Sequence, residues 1–249
     1  MPSHTIRDVA FDAFLTSSDA MLVFRLLEKL RLHDIHKFAL TGGIAIETHL
    51  IAQDHAQRTR NLNDLDFVVE SFASIPGTLA KSFLIGHIHP KAPEGKTLMQ
   101  LVDPDEALRI DIFRAYGAAM KRCRPLFPGD AAIQMVSAED LAAKAASLLM
   151  DLEGGSTVAS KHALDFQRLV NAIDLDRVEI AWQDYREPRY PTTFKETSLR
   201  VRDLVLSRAE LLIVPEYLQD ADAVCPRCEE IQPFCLASAQ TIKSILGYC

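Results

Sequence analysis

Asp64 and Asp66 stand one residue apart in the run Leu62-Asn63-Asp64-Leu65-Asp66-Phe67-Val68-Val69, about twenty residues after the pair Gly42-Gly43. Side chains alternate along a strand, so both carboxylates leave one face while Leu65, Phe67 and Val69 leave the other, toward a core. Two neighbouring carboxylates repel each other, and in an otherwise apolar strand they cost stability unless a cation lies between them. Magnesium, a hard ion that takes oxygen ligands and bridges carboxylates to substrate phosphates, suits such a pair. A third carboxylate is sought on the same logic. Leu108-Arg109-Ile110-Asp111-Ile112-Phe113 reads as a strand, apolar at 108, 110 and 112, with Asp111 on the opposite side. Alone, Asp111 reads equally well as an edge or turn residue; beside the pair it completes a three-carboxylate group.

The glycines have a separate part. Phe38-Ala39-Leu40 is apolar, Thr41-Gly42-Gly43 follows, and Ile44 to Ile51 has helical apolar spacing at 44, 46, 50 and 51. A strand, a glycine turn and a helix start place free backbone N–H groups and the positive end of a helix dipole where phosphates can rest. An ordinary tight turn is the alternative.

Gly-Gly, then Asp-x-Asp-apolar, then a later strand Asp resembles the pattern of the polymerase-beta-type nucleotidyltransferase superfamily. Within it the chain most resembles the abortive-infection (AbiEii-like) branch, in which a Gly-Gly helix start leads to Arg-x-Ser/Thr-x-Asp-x-Asp. Arg60 keeps that branch's position four residues before the first Asp, and Leu62 departs from it where a hydroxyl residue is favoured. The resemblance implies an α/β (α+β) chain, with a nucleotidyltransferase-fold mixed sheet and flanking helices followed by a mostly helical C-terminal domain. It implies transfer of a nucleoside monophosphate from a triphosphate to an acceptor hydroxyl, with release of pyrophosphate. Two magnesium ions would be held by Asp64, Asp66 and Asp111, and the nucleotide would contact Thr41, Gly42, Gly43, Arg60 and Lys144. Relatives modify transfer RNA ends, proteins or aminoglycoside-like small molecules, and some are the toxin of a toxin–antitoxin pair, so the implied partners are a nucleoside triphosphate, an acceptor left open with transfer RNA among the candidates, and an antitoxin protein. The competing reading is a catalytically silent nucleotide-binding or interaction module of the same fold. For Arg60 the alternative is a solvated loop cation.

That branch also carries a helical Lys and a later Asp facing the cleft, and Lys144 and Asp165 match these positions. Ser137-Ala138-Glu139-Asp140 is a capping-box-like start for a helix to about Glu153, with Leu141, Lys144, Ala145, Leu148 and Leu152 on one stripe. A Lys among apolar neighbours must snorkel outward or meet an anion. A second helix runs from about Ser160 to Ile173, with Phe166, Leu169, Val170 and Ile173 inward. Asp165 borders that stripe, its alternative being a surface charge paired with Lys161.

The elements that must position these groups follow from pattern. Phe11 to Leu32 reads as a helix with Phe14, Met21, Leu22, Phe24, Leu27 and Leu30 on a wide buried face. Leu84 to Ile88 and Thr97 to Val102 read as strands around the turn-like segment Pro90 to Gly95. Pro125, Pro128 and Gly129 mark a break, which predicts a catalytic domain over 1–130 and a helical domain over 131–249. With 249 residues, 48% of them apolar, the chain has enough material for one large core or two smaller ones. Its net charge of −7 disfavours broad, sequence-independent nucleic-acid binding. Arg186, Arg189, Lys195, Arg200, Arg202 and Arg208 are interleaved with acids and read as a solvated helix surface. No apolar stretch is long enough to span a bilayer and no signal peptide is evident, which predicts a cytoplasmic protein. Cys225, Cys228, Cys235 and Cys249 are either a structural zinc set, the first two with knuckle spacing, or free thiols. Cys123 is isolated, and His87 and His89 read as ordinary surface or core residues.

Overall fold

The computed structural model describes residues 6–7, 11–53, 55, 59–128 and 133–214. The four candidate zinc ligands Cys225, Cys228, Cys235 and Cys249 lie outside the described residues, as does Gly129. In chain order the elements are β1 (Ile6–Arg7), α1 (Ser17–Arg31), β2 (Ala39–Leu40), α2 (Gly42–Ile51), β3 (Asp64–Val69), β4 (Leu84–Ile88), β5 (Thr97–Val102) and β6 (Arg109–Arg114). There follow β7 (Arg124–Phe127), β8 (Ile133–Met135), α3 (Ala138–Met150), β9 (Val158–Ala159), α4 (Ser160–Ala172), α5 (Leu175–Tyr185), α6 (Phe194–Ser207) and β10 (Leu212–Ile213).

An eight-stranded mixed sheet in the order β1-β7-β8-β2-β3-β6-β5-β4 forms the centre. The strand with the acidic pair, β3, lies between β2, antiparallel to it, and β6, parallel to it. Leu65, Phe67 and Val69 on β3 are completely buried, as are Ile110 and Ile112 on β6. That apolar face fixes the register, because a slip of one residue would turn every side chain over. The chain is thus a mixed α/β protein with its helices concentrated in the second half.

α1 starts later than its apolar pattern predicts. Thr16 accepts the backbone N–H of Asp19 through its side chain and caps the helix at Ser17, while Phe11–Ala13 forms a separate short 3-10 turn. The buried stripe is Ala20, Val23, Leu26, Leu27 and Leu30, and Met21 lies off it, 59% exposed. The predicted strands at 84–88 and 97–102 are β4 and β5, antiparallel to each other. The predicted break is not empty of structure: Pro125 lies in β7, and β8, which follows residue 130, pairs with both β7 and β2.

α3 begins where its capping residue predicts, with Ser137 accepting the Asp140 N–H. Helices α4, α5 and α6 all pack against α3, and α2 packs against α3 and α4. Arg122, after β6, ties these layers together: its Nη2 donates to Asp140 on α3 and Asp184 on α5, each at 2.6 Å. Arg189, Arg200, Arg202 and Arg208 are exposed, as expected of a solvated surface. Among the described residues no helix is long and apolar enough to cross a membrane.

Candidate active site

The register between β3 and β6 sets Asp66 directly opposite Asp111 and Asp64 directly opposite Arg109. All four side chains share one face of the sheet. One oxygen from each of the three carboxylates lies within 4.8 Å of the others. Asp111 is 6% exposed, and Gln100 on β5 donates to its Oδ1 at 3.0 Å. Arg109 donates through Nη2 to Asp64 Oδ2 at 2.7 Å and approaches Asp111 Oδ2 at 3.2 Å. Burial first, then the neighbouring Asp64 charge, pushes the pKa of Asp66 up to about 7, against the opposing pull of Lys144. Asp111 is likewise raised by burial, with the Arg109 charge working against the shift.

A cleft of about 310 Å³ opens beside the pair Asp64 and Asp66. Thr41, Gly42 and Gly43 form part of its wall, Arg60 another part, and Lys144, Lys161, His162 and Asp165 face it from the helices. Asp111 adjoins Asp64 and Asp66 without lining the cleft itself. The glycine turn is required sterically. Gly42 has φ +70°, and a Cβ there would lie 2.0 Å from Asp66 Oδ2. At Gly43 a Cβ would lie 2.9 Å from Arg60 Nη1. Leu40 runs directly into Thr41 and α2, so the first free N–H groups of that helix sit at the cleft.

Lys144 crosses the same face of the sheet, its Nζ 5.3 Å from the centre of the Phe113 ring on β6. It does not snorkel to open solvent; burial pushes its pKa down and Asp66 pulls it back. Arg60 is not a solvated loop cation: its side chain is 13% exposed and its charge is met by two acids. Arg60 Nε donates to Glu47 Oε1 on α2 at 2.8 Å, and its terminal nitrogens clasp Asp165 on α4. Asp165, 3% exposed, is therefore not a surface partner of Lys161. Glu47 is completely buried and also receives both terminal nitrogens of Arg168, its Oε2 at 2.8 Å from Nη2. Four charges, two of each sign, thus join α2, the approach to β3, and α4.

Arg109, Glu47, Arg168 and His162 are site residues that the sequence reading did not select. Arg109 had a signal, since it alternates with Asp111 at a period of two. His162 is held near pH 4 by burial and nearby cations, so it is a neutral ring at physiological pH. Cys123 is partly buried and its thiol is pushed up to about 12, chiefly by burial, which makes it unreactive.

The Asp66 shift has a definite consequence for stability. Between its ordinary value of 3.8 and about 7, the folded protein holds a proton that the unfolded chain releases. Without divalent cations, the wild type is expected to lose stability relative to Asp66→Asn as pH rises from about 4 to about 7, the penalty being complete above 7. Urea denaturation of both proteins in chelator across that range measures the difference. A difference that stays constant with pH would contradict the raised pKa of this carboxylate.

No family model matches the chain, and no curated protein matches it. Among solved structures it is similar to the antibiotic-resistance factor ANT(2'')-Ia, at 13% identity and a TM-score of 0.43, over 78% of this chain and 97% of that one. A likeness of that degree bears on neither reaction nor substrate, and the functional reading rests on the residues themselves.

Proposed function

We propose that the cleft transfers a nucleoside monophosphate from a nucleoside triphosphate to an acceptor hydroxyl and releases pyrophosphate. One observation carries this reading: Asp64, Asp66 and Asp111 gather on adjacent, in-register strands beside a glycine turn that opens a helix. An all-oxygen group of three carboxylates, one of them pushed toward neutrality when no cation balances it, fits a hard divalent ion. Asp64, Asp66 and Asp111 would hold magnesium. When bound, magnesium supplies positive charge opposite the negative charge that develops on the attacking and leaving oxygens.

The protein's own groups position the reactants. Backbone N–H groups at Gly42 and Gly43 receive the distal phosphates, and Lys144 balances charge along the phosphate chain. The acceptor oxygen attacks the α-phosphorus, forming a new P–O bond as the bond to the bridging oxygen breaks and its electrons leave with pyrophosphate. The acceptor hydroxyl gives up its proton to Asp111, the carboxylate that would complete the ion nearer the acceptor. Arg60 and Asp165 act by holding the approach to β3 against α4, since each already neutralises the other. The resemblance to the AbiEii-like branch leaves RNA, protein and small-molecule acceptors open, together with a toxin role.

Incubation of the purified protein with each labelled triphosphate, magnesium and a cell extract tests this reading. Label is expected in one class of macromolecule or metabolite, and chelator should abolish it. Absence of label above the Asp64→Asn background with every triphosphate would overturn it.

A further inference from the structure

The arrangement of Asp64, Arg109, Asp66 and Asp111 contains an oddity. Arg109 and Asp111 lie two apart on β6, and Asp64 faces Arg109 across the ladder, so a guanidinium sits among the three carboxylates. Its Nη2 reaches one oxygen of Asp64 at 2.7 Å and one of Asp111 at 3.2 Å. Its Nε, in contrast, is buried and donates to nothing among the described residues. Arg114 on the same strand shares an unpartnered Nε, but its Nη1 donates to the backbone oxygen of Ala92, whereas among the described residues Arg109 is held only by the acids of the carboxylate group. Glu47 gives the contrast within this chain, since it accepts from Arg60 Nε and from both terminal nitrogens of Arg168.

A divalent ion held by these carboxylates takes oxygens at roughly 2.0–2.6 Å, and Arg109 engages one oxygen on each of two of them while placing a positive charge beside the ion's position. A guanidinium does not lose its proton in a protein, so it cannot yield the place by neutralising. Its side chain is 42% exposed, which leaves a route outward.

We propose that Arg109 is a built-in counter-cation of the carboxylate group, which metal binding must displace, and that Arg109 therefore sets the affinity of the site for divalent ions. Without metal it offsets the repulsion among the three acids. With metal it swings off Asp64 and Asp111 and satisfies its nitrogens in solvent. This inference rests on the metal reading above.

Manganese binding, followed by electron paramagnetic resonance and by calorimetry in the absence of nucleotide, tests it without reference to activity. Arg109→Met keeps the aliphatic stem and removes the charge. It is expected to bind manganese at least about tenfold more tightly than the wild type at low ionic strength, because a repelling charge a few ångströms away is gone. Arg109→Lys, which retains a cation, should stay near the wild-type affinity. Arg109→Gln, uncharged yet still able to donate to Asp64, should reproduce the tightening and serves if the Met variant folds poorly. Equal or weaker binding by both uncharged variants, with wild-type binding intact and lost in Asp64→Asn, would overturn the role of Arg109 and leave the metal site standing. No manganese bound by any form would overturn the metal site and this inference together.

Discussion

Replacing Asp66 with Asn is expected to slow nucleotide transfer by at least about a thousandfold while leaving the fold intact. A carboxylate that holds a metal ion against developing charge contributes several kcal/mol to the barrier, and each ~1.4 kcal/mol is a factor of ten in rate. Asn is nearly the same size and keeps one oxygen, so the packing of β3 between β2 and β6 should survive. Above pH 7 and without divalent ions, the variant should even gain stability, because it removes a charge that burial and Asp64 disfavour. Transfer rates, together with urea unfolding in chelator, read both effects. Retention of more than about a tenth of the wild-type rate would remove Asp66 from the chemistry, since a lost metal ligand costs far more.

The second large effect belongs to a residue that touches no substrate. Glu47→Gln is expected to destabilise the protein by about 3–5 kcal/mol, because it leaves two guanidinium groups, those of Arg60 and Arg168, without their shared buried anion. A domain of ordinary stability has about 5–15 kcal/mol in all, so much of the margin would go. The double variant Glu47→Met with Arg168→Met removes the anion and one cation together, leaving Arg60 paired with Asp165. Its stability should return to within about 1–2 kcal/mol of the wild type. Transfer should remain impaired in the double variant, because Arg60 has lost one of the two anchors that fix the approach to β3. Recovery of activity in step with stability would show that the network only holds the protein together.

The two halves of the site differ in how far they can be read from the chain. Alternation makes the β3 carboxylates visible, since Leu65, Phe67 and Val69 must go inward and Asp64 and Asp66 therefore outward. Ser137, with its acid three residues on, announces the start of α3 for an equally local reason. The Glu47 to Arg168 pair is different. Its members are 121 residues apart, and Glu47 sits in the apolar stretch Ile44 to Ile51, where nothing local predicts a partner. Arg109 has the right period, but nothing local in the sequence shows that Asp64, forty-five residues earlier, lies opposite it. The late start of α1 has a third cause: the apolar residues from Phe11 onward look continuous, yet Thr16 caps the chain five residues later and so starts the helix at Ser17. Pro125 looked like a break and instead lies in β7, whose β8 partner is only three residues long.

Gly42 has a consequence for chains related to this one. A methyl group there would fall within 3.0 Å of Oδ2, Cγ and Cβ of Asp66, on a backbone whose φ of +70° already favours glycine. Loss of the glycine and loss of a working aspartate are therefore one event seen from two sides. A descendant with alanine at this position could keep the carboxylate in its sequence and still have it displaced from its neighbours. Its silence would be legible at the turn, twenty-four residues before the group it disarms.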